Sequence, residues 1–162
     1  MKIKSFLSLF FVIISINLIG CGSSQMIHAK MQMAAADYLN PDINGQAAPV
    51  LVTFYELTTP MAFKQADYFA LQNNAGAVLA GSLIDKQTIE MRPRQMLSHT
   101  LSMPESVRYI GVTAGYRNIN QSKWRAVLPI PKKKLHWYSN HKNIFRVQIA
   151  LHSQGIEVNF IK

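Results

Sequence analysis

The chain has 162 residues, of which 49% are hydrophobic and 15% charged. That is the length of one domain, with too much apolar content and too little charge for a disordered chain. Lys and Arg outnumber acids 17 to 8 for a net charge of +9, and the single cysteine, Cys21, excludes an intramolecular disulfide.

At the N-terminus, Lys2 and Lys4 precede an apolar stretch from Phe6 to Ile19, interrupted only by Ser8, Ser15 and Asn17. A spanning helix needs about 20 apolar residues; this shorter run suits the core of a signal peptide. It closes with Leu18-Ile19-Gly20-Cys21, which resembles the bacterial lipobox. There a thiol accepts diacylglycerol, and small residues before it let a peptidase reach the bond. Residues 1–20 are therefore expected to be a lipoprotein signal peptide and Cys21 the lipidated residue. One acyl chain holds a protein only marginally, whereas several on one cysteine anchor it stably. Gly22, rather than Asp, follows the cysteine, which by the lipoprotein sorting pattern favours the outer membrane.

Residues 21–25 form a short polar tether, and residues 26–162 are expected to be one domain. Ala29 to Ala35 alternates Lys30 and Gln32 with Met31 and Met33, the pattern of a half-buried strand. Tyr38 to Pro49 is a loop with Asn40-Pro41 and Asn44-Gly45 as turn dipeptides. Val50 to Leu57 is a β-branched and aromatic strand. Phe63 to Leu71 places Phe63, Ala66, Phe69 and Ala70 at helical spacing, and Ala75 to Leu83 continues it as a second short turn, with Gly76 and Gly81 against it. Strands resume around Gln87 to Met91 and Leu97 to Met103, separated by a turn at Pro93-Arg94. Arg108 to Tyr116 and Trp124 to Ile130 follow, and Ile144 to Leu151 with Ile156 to Ile161 forms a terminal hairpin. About eight short strands make this a mainly β chain: an antiparallel two-sheet β-sandwich with a helical insertion between strands 2 and 3.

Nothing in the sequence supports catalysis. The eight acids form no close pair of the kind that glycoside or metal chemistry needs. His28, His99, His136, His141 and His152 match no metal-binding spacing. His99 falls on the apolar side of its strand, which suits a hydrogen-bonded, partly buried ring. No nucleophile elbow, phosphate loop or dinucleotide fingerprint occurs. The expectation is no enzyme, no catalytic residue, no metal, no cofactor and no small-molecule substrate.

Charge is uneven. Residues 21–91 carry three Lys and six acids, net −3, and residues 92–162 carry twelve Lys and Arg and two acids, net +10. An exported address argues against nucleic acid and leaves acidic partner surfaces or lipid headgroups. Lys132-Lys133-Lys134, in the basic loop 132–142, reads either as such a contact or as a solvated connection.

Several of these segments together resemble one family. The loop Asn40-Pro41-Asp42-Ile43-Asn44-Gly45-Gln46-Ala47-Ala48-Pro49 leads into a strand ending Tyr55-Glu56-Leu57. Phe63 to Leu71 carries Ala66-Asp67-Tyr68-Phe69, Tyr109 to Arg117 reads YIGVTAGYR, and Trp124-Arg125 follows. In this order, behind a lipobox, they resemble the type VI secretion lipoproteins called TssJ, SciN or VasD, over essentially the whole mature chain. Thr113 departs from the small Ala or Val usual there. The resemblance implies a transthyretin-like sandwich on the periplasmic face of the outer membrane that binds the periplasmic C-terminal domain of TssM. It also implies that the loop between the first two strands makes part of that contact. The residues to test are Asn40, Pro41, Asp42, Ile43, Asn44, Gly45 and Gln46. Ile43 either anchors the partner or folds back onto the sandwich. The alternative is a lipid-anchored transthyretin-like module that binds a periplasmic ligand.

Overall fold

The structure is a computed structural model that describes residues 26–131 and 144–161. Cys21, His136, His141 and the basic loop 132–142 lie outside the described residues. Eight strands run β1 (Met26–Ala35), β2 (Val50–Leu57), β3 (Leu83–Met91), β4 (Met96–Pro104), β5 (Tyr109–Ala114), β6 (Arg125–Pro129), β7 (Ile144–Leu151) and β8 (Ile156–Ile161). Helices α1 (Met61–Gln65) and α2 (Tyr68–Leu79) stand between β2 and β3. One sheet has the order β4-β1-β7-β8 and the other β3-β2-β5-β6.

The period-2 patterns decide which faces meet. Ala29, Met31 and Met33 of β1 pack against Val52 and Phe54 of β2, with Leu101, Met103, Val112, Val147 and Ile149 completing the core between the sheets. The alternate residues of β2, Tyr55 and Leu57, face away and would be stranded in water. The helical insertion covers them: Phe63, Leu71, Ala75 and Leu79 form a second core on the outer face of that sheet. Gly111 on β5 lets the Phe63 ring lie against the sheet, since a Cβ there would come within 2.7 Å of the ring.

Three sequence expectations need correction. The first strand begins at Met26, not Ala29, because Met26 to His28 extend the ladder with Ser102 to Pro104. The helix is two helices. Ala66 turns extended (ψ 148°), and Asp67 caps α2 by accepting from the Ala70 amide at 2.8 Å, a start signal that outweighs the continuous apolar spacing. Beyond it α2 runs through Gly76 to Leu79, with a kink at Asn74. Finally, one pairing is not antiparallel: β1 and β7 run parallel, with His28 opposite Ile144. No hairpin joins them, so no turn dictates their direction, and the intervening chain serves as the crossover a parallel pair requires.

The topology gives the sandwich two distinct ends. The start of β1 lies with the ends of β2, β4, β6 and β8 and the start of β7. The opposite end gathers the connections 36–49, 92–95, 115–124 and 152–155.

Candidate functional site

The candidate loop crosses the end of the sandwich away from the N-terminus, and it divides into a fixed base and a free tip. Leu39 is buried in the main core. Asn40 is also buried and adopts φ 47°, a left-handed conformation that asparagine tolerates better than most residues. Its Nδ2 donates to the Pro49 carbonyl at 3.0 Å, its Oδ1 accepts from the Arg117 amide at 2.8 Å, and its own amide donates to the Ser153 carbonyl at 3.2 Å. One side chain therefore ties both feet of the loop to a neighbouring connection, and the backbone ties it to a third. That third connection is itself fixed: the Tyr116 hydroxyl donates to the Gly155 carbonyl at 2.6 Å, and the Lys123 amide to the Gln154 carbonyl at 3.0 Å. Burial pushes the Tyr116 phenol up, so it stays a neutral donor.

The tip is built by Asp42. Its Oδ1 accepts from the amides of Asn44 and Gln46 at 2.9 and 2.8 Å, while the Asp42 amide donates to the Gln46 carbonyl at 3.0 Å and its carbonyl accepts from Gly45 at 3.0 Å. Gly45 holds φ 76°, which closes the turn without the clash a side chain would bring. At the apex Ile43 is 100% exposed, so it does not fold back onto the sandwich. A single exposed apolar residue is ordinary on a protein surface; what sets Ile43 apart is the self-bonded turn that holds it out.

The seven residues predicted from the sequence thus have different jobs. Asn40 sits inside the base, Pro41 and Asp42 are half-buried, and Ile43, Asn44, Gly45 and Gln46 face solvent. Sequence reasoning passed over two large side chains at the same end, Tyr38 and Met96, both well exposed. A large apolar residue next to turn residues, the cue that picked out Ile43, also applies to them. Arg94 pairs with Asp37 at 3.4 Å beside Tyr38, and both groups are mostly in water, so the pair adds little.

The residues shared with the family pattern mostly hold the scaffold. Arg125 Nη1 donates to the carbonyls of Phe63 and Ala66 at 2.9 and 2.8 Å, which satisfies orphan acceptors at the end of α1. Trp124 stacks edge-on to Tyr68, whose neighbour Asp67 caps α2. His99 is half-buried, 3.3 Å from Gln87 Oε1 and stacked on Phe54. His28 bonds Ser102, and His152 lies 3.7 Å from Glu157. Among the described residues no three His, Cys, Asp or Glu side chains converge to hold a metal ion, and no helix is long and apolar enough to cross a membrane.

Residues 28–154 match the family described as type VI secretion lipoprotein, VasD, EvfM, TssJ. The fold is similar to the T6SS lipoprotein TssJ1 from Pseudomonas aeruginosa, with a TM-score of 0.75 and 32% identity over 84% of this chain and 97% of that one. It is also similar to Serratia marcescens Lip, described as a membrane-bound component of the type VI secretion system, with a TM-score of 0.73 and 27% identity over 83% and 97%. A chain in a structure described as the T6SS protein TssM C-terminal domain from EAEC shares the fold, with a TM-score of 0.61 and 22% identity over 83% and 99%. No curated protein sequence matches.

Proposed function

The chain belongs to the type VI secretion lipoprotein family, a family of structural subunits and not of enzymes, and from that premise we propose its place in the machine. It is anchored in the outer membrane through acyl chains on Cys21. There it tethers the envelope-spanning complex by binding the periplasmic C-terminal domain of TssM through the loop 40–46.

The observation that carries this reading is the construction of the loop. Ile43 is fully exposed at the apex of a turn closed by Asp42, on a base tied down by Asn40. A loop already held in shape loses little conformational entropy on docking. β1 and β2 lie in different sheets, and the fourteen residues between them exceed the median of about four to six for connections in compact domains. Binding energy usually concentrates in a few well-packed side chains, and Ile43 is the one apolar side chain at the tip.

The test replaces residues 42–46 with a Gly/Ser linker and measures binding of the TssM periplasmic domain by calorimetry. The base of the loop is untouched, so the unfolding midpoint should hold. Binding should weaken about tenfold or more, equivalent to about 1.4 kcal/mol. Undiminished binding would place the contact elsewhere on the domain.

A further inference from the structure

We propose that the N-terminal end of the β4-β1-β7-β8 sheet rests directly on an anionic lipid surface, so that the domain is seated on the membrane and does not swing from its tether. This rests on the reading that Cys21 is acylated. It adds a second contact surface, at the opposite end from the loop 40–46.

The length of chain before the fold sets the distance. Five residue steps separate Cys21 from Met26, and at about 3.5 Å each they reach at most roughly 18 Å. The end of the sheet where β1 begins therefore cannot leave the headgroup region by much.

What that end presents suits the place. Met26, Ile144 and Phe160 are each about 40% exposed. They belong to three adjacent strands: His28 lies opposite Ile144, and Val147 opposite Phe160. The Phe145 and Phe160 rings meet edge to face at 5.9 Å, at the mouth of the sandwich. Core-facing aromatics left open at one end of a sandwich are out of place in bulk water. At a lipid interface, apolar bodies beside charged heads are favoured.

Charge agrees. Arg146 is exposed on β7 beside this rim; Arg108, in the link before β5 with Glu105, lies on the side that the acids occupy. In β1, β7 and β8 the one acid is Glu157, opposite Ala150 and near the far end. The acids at the N-terminal end, Glu56, Asp85 and Glu105, lie on β2, on β3 and in the link before β5, so the seat tilts toward the β1-β7-β8 side. Basic residues near an anionic leaflet favour the seated state.

The seat would also orient the partner loop. Ten residues of β1 at about 3.3 Å each hold the loop 40–46 roughly 30 Å from the lipid, facing the periplasm.

The full lipidated chain offers a clean test, because acylation uses up its only thiol. A cysteine introduced by Ile144→Cys takes an environment-sensitive fluorophore, and Ile43→Cys carries the same label at the far end. The protein is reconstituted in vesicles of phosphatidylethanolamine and phosphatidylglycerol containing a lipid-borne quencher. The label at position 144 should be quenched strongly and the label at 43 hardly at all. Arg146→Gln should lower the seated-to-free ratio roughly fivefold, at about 1 kcal/mol for the charge. Vesicles of phosphatidylethanolamine alone should show the same loss. Equal quenching at the two positions in a chain that floats with the vesicles overturns the seat while leaving the anchor intact. So does a label at 144 shielded by a second copy, detected as cross-linking between labelled chains. A chain with no acyl mass on Cys21 that fails to float overturns the anchor and the seat together.

Discussion

Asn40 is the residue whose loss should separate the scaffold of the loop from its contact surface. Asn40→Ala removes the donor to the Pro49 carbonyl and the acceptor for the Arg117 amide. Each stranded, largely buried backbone group costs about 1–3 kcal/mol, and alanine at φ 47° adds about 1 kcal/mol of backbone strain. Water can reach part of a surface loop, so the low end applies and the total should be about 3 kcal/mol. Asn40→Gly removes the same two bonds but accepts the left-handed backbone, so it should recover roughly 1 kcal/mol of that loss. Urea unfolding measures both, and the midpoint should fall with the m-value unchanged. The partner loop loses its fixed base in either variant, so binding should weaken although Asn40 is buried. Ile43→Ser should do the reverse: it weakens binding and leaves stability alone, because its side chain touches solvent only. An Asn40→Ala protein within 1 kcal/mol of the parent would refute the idea that this side chain holds the loop.

Glu56 should make stability depend on pH. Burial, and then the Asp85 carboxylate opposite it on β3, push its carboxyl from 4.5 up to about 7. The folded pKa lies above the unfolded one, so the stabilisation is fully present below about 4.5 and is lost as pH rises through about 7. The loss should total roughly 3 kcal/mol at about 1.4 kcal/mol per pH unit, and Glu56→Gln should flatten that slope in thermal unfolding from pH 5 to 8. Cys21→Ser should leave an unprocessed precursor outside the outer-membrane fraction, and normal fractionation would remove the basis for lipidation. Gly22→Asp should move a folded protein toward the inner-membrane fraction on density-gradient separation and disable secretion.

Strand alternation was legible in the sequence because each β-strand buries one face. Met31 and Met33, Leu101 and Met103, and Val147 and Ile149 all occupy the buried register that their spacing implies. The turn at the loop tip was legible because Pro41 fixes its own φ, Gly45 accepts the left-handed backbone that a turn needs, and Ile43 is apolar among polar neighbours. What stayed hidden depends on long-range partners. The parallel β1–β7 pairing joins segments more than a hundred residues apart, and no local signal encodes its direction. The break between α1 and α2 was missed because Asp67 acts as a cap only once Ala66 turns extended. Asn40 reads as a turn residue, and its role as a hub appears only when residues 115–124 and 152–155 fold against it. The resemblance named the family, yet Asp67, Trp124 and Arg125, which helped carry it, prove to be scaffold residues.

The placement of β1 gives the proposed tether a mechanical logic. The proposed anchor would join one end of this strand at Met26, and the proposed partner loop leaves the other end after Ala35. Tension between membrane and partner would therefore run along the covalent backbone of a single strand. That strand sits inside its sheet, bonded to β4 on one side and β7 on the other, so pulling it out shears two ladders, loading many hydrogen bonds at once. An edge strand such as β8, pulled from Ile161 at its end, would instead peel from β7 one bond at a time. Single-molecule pulling between positions 26 and 43 should accordingly rupture at clearly higher force than pulling between positions 26 and 161, where both handles sit at the same end of the molecule. Equal rupture forces in the two geometries would mean that the position of β1 carries no mechanical advantage.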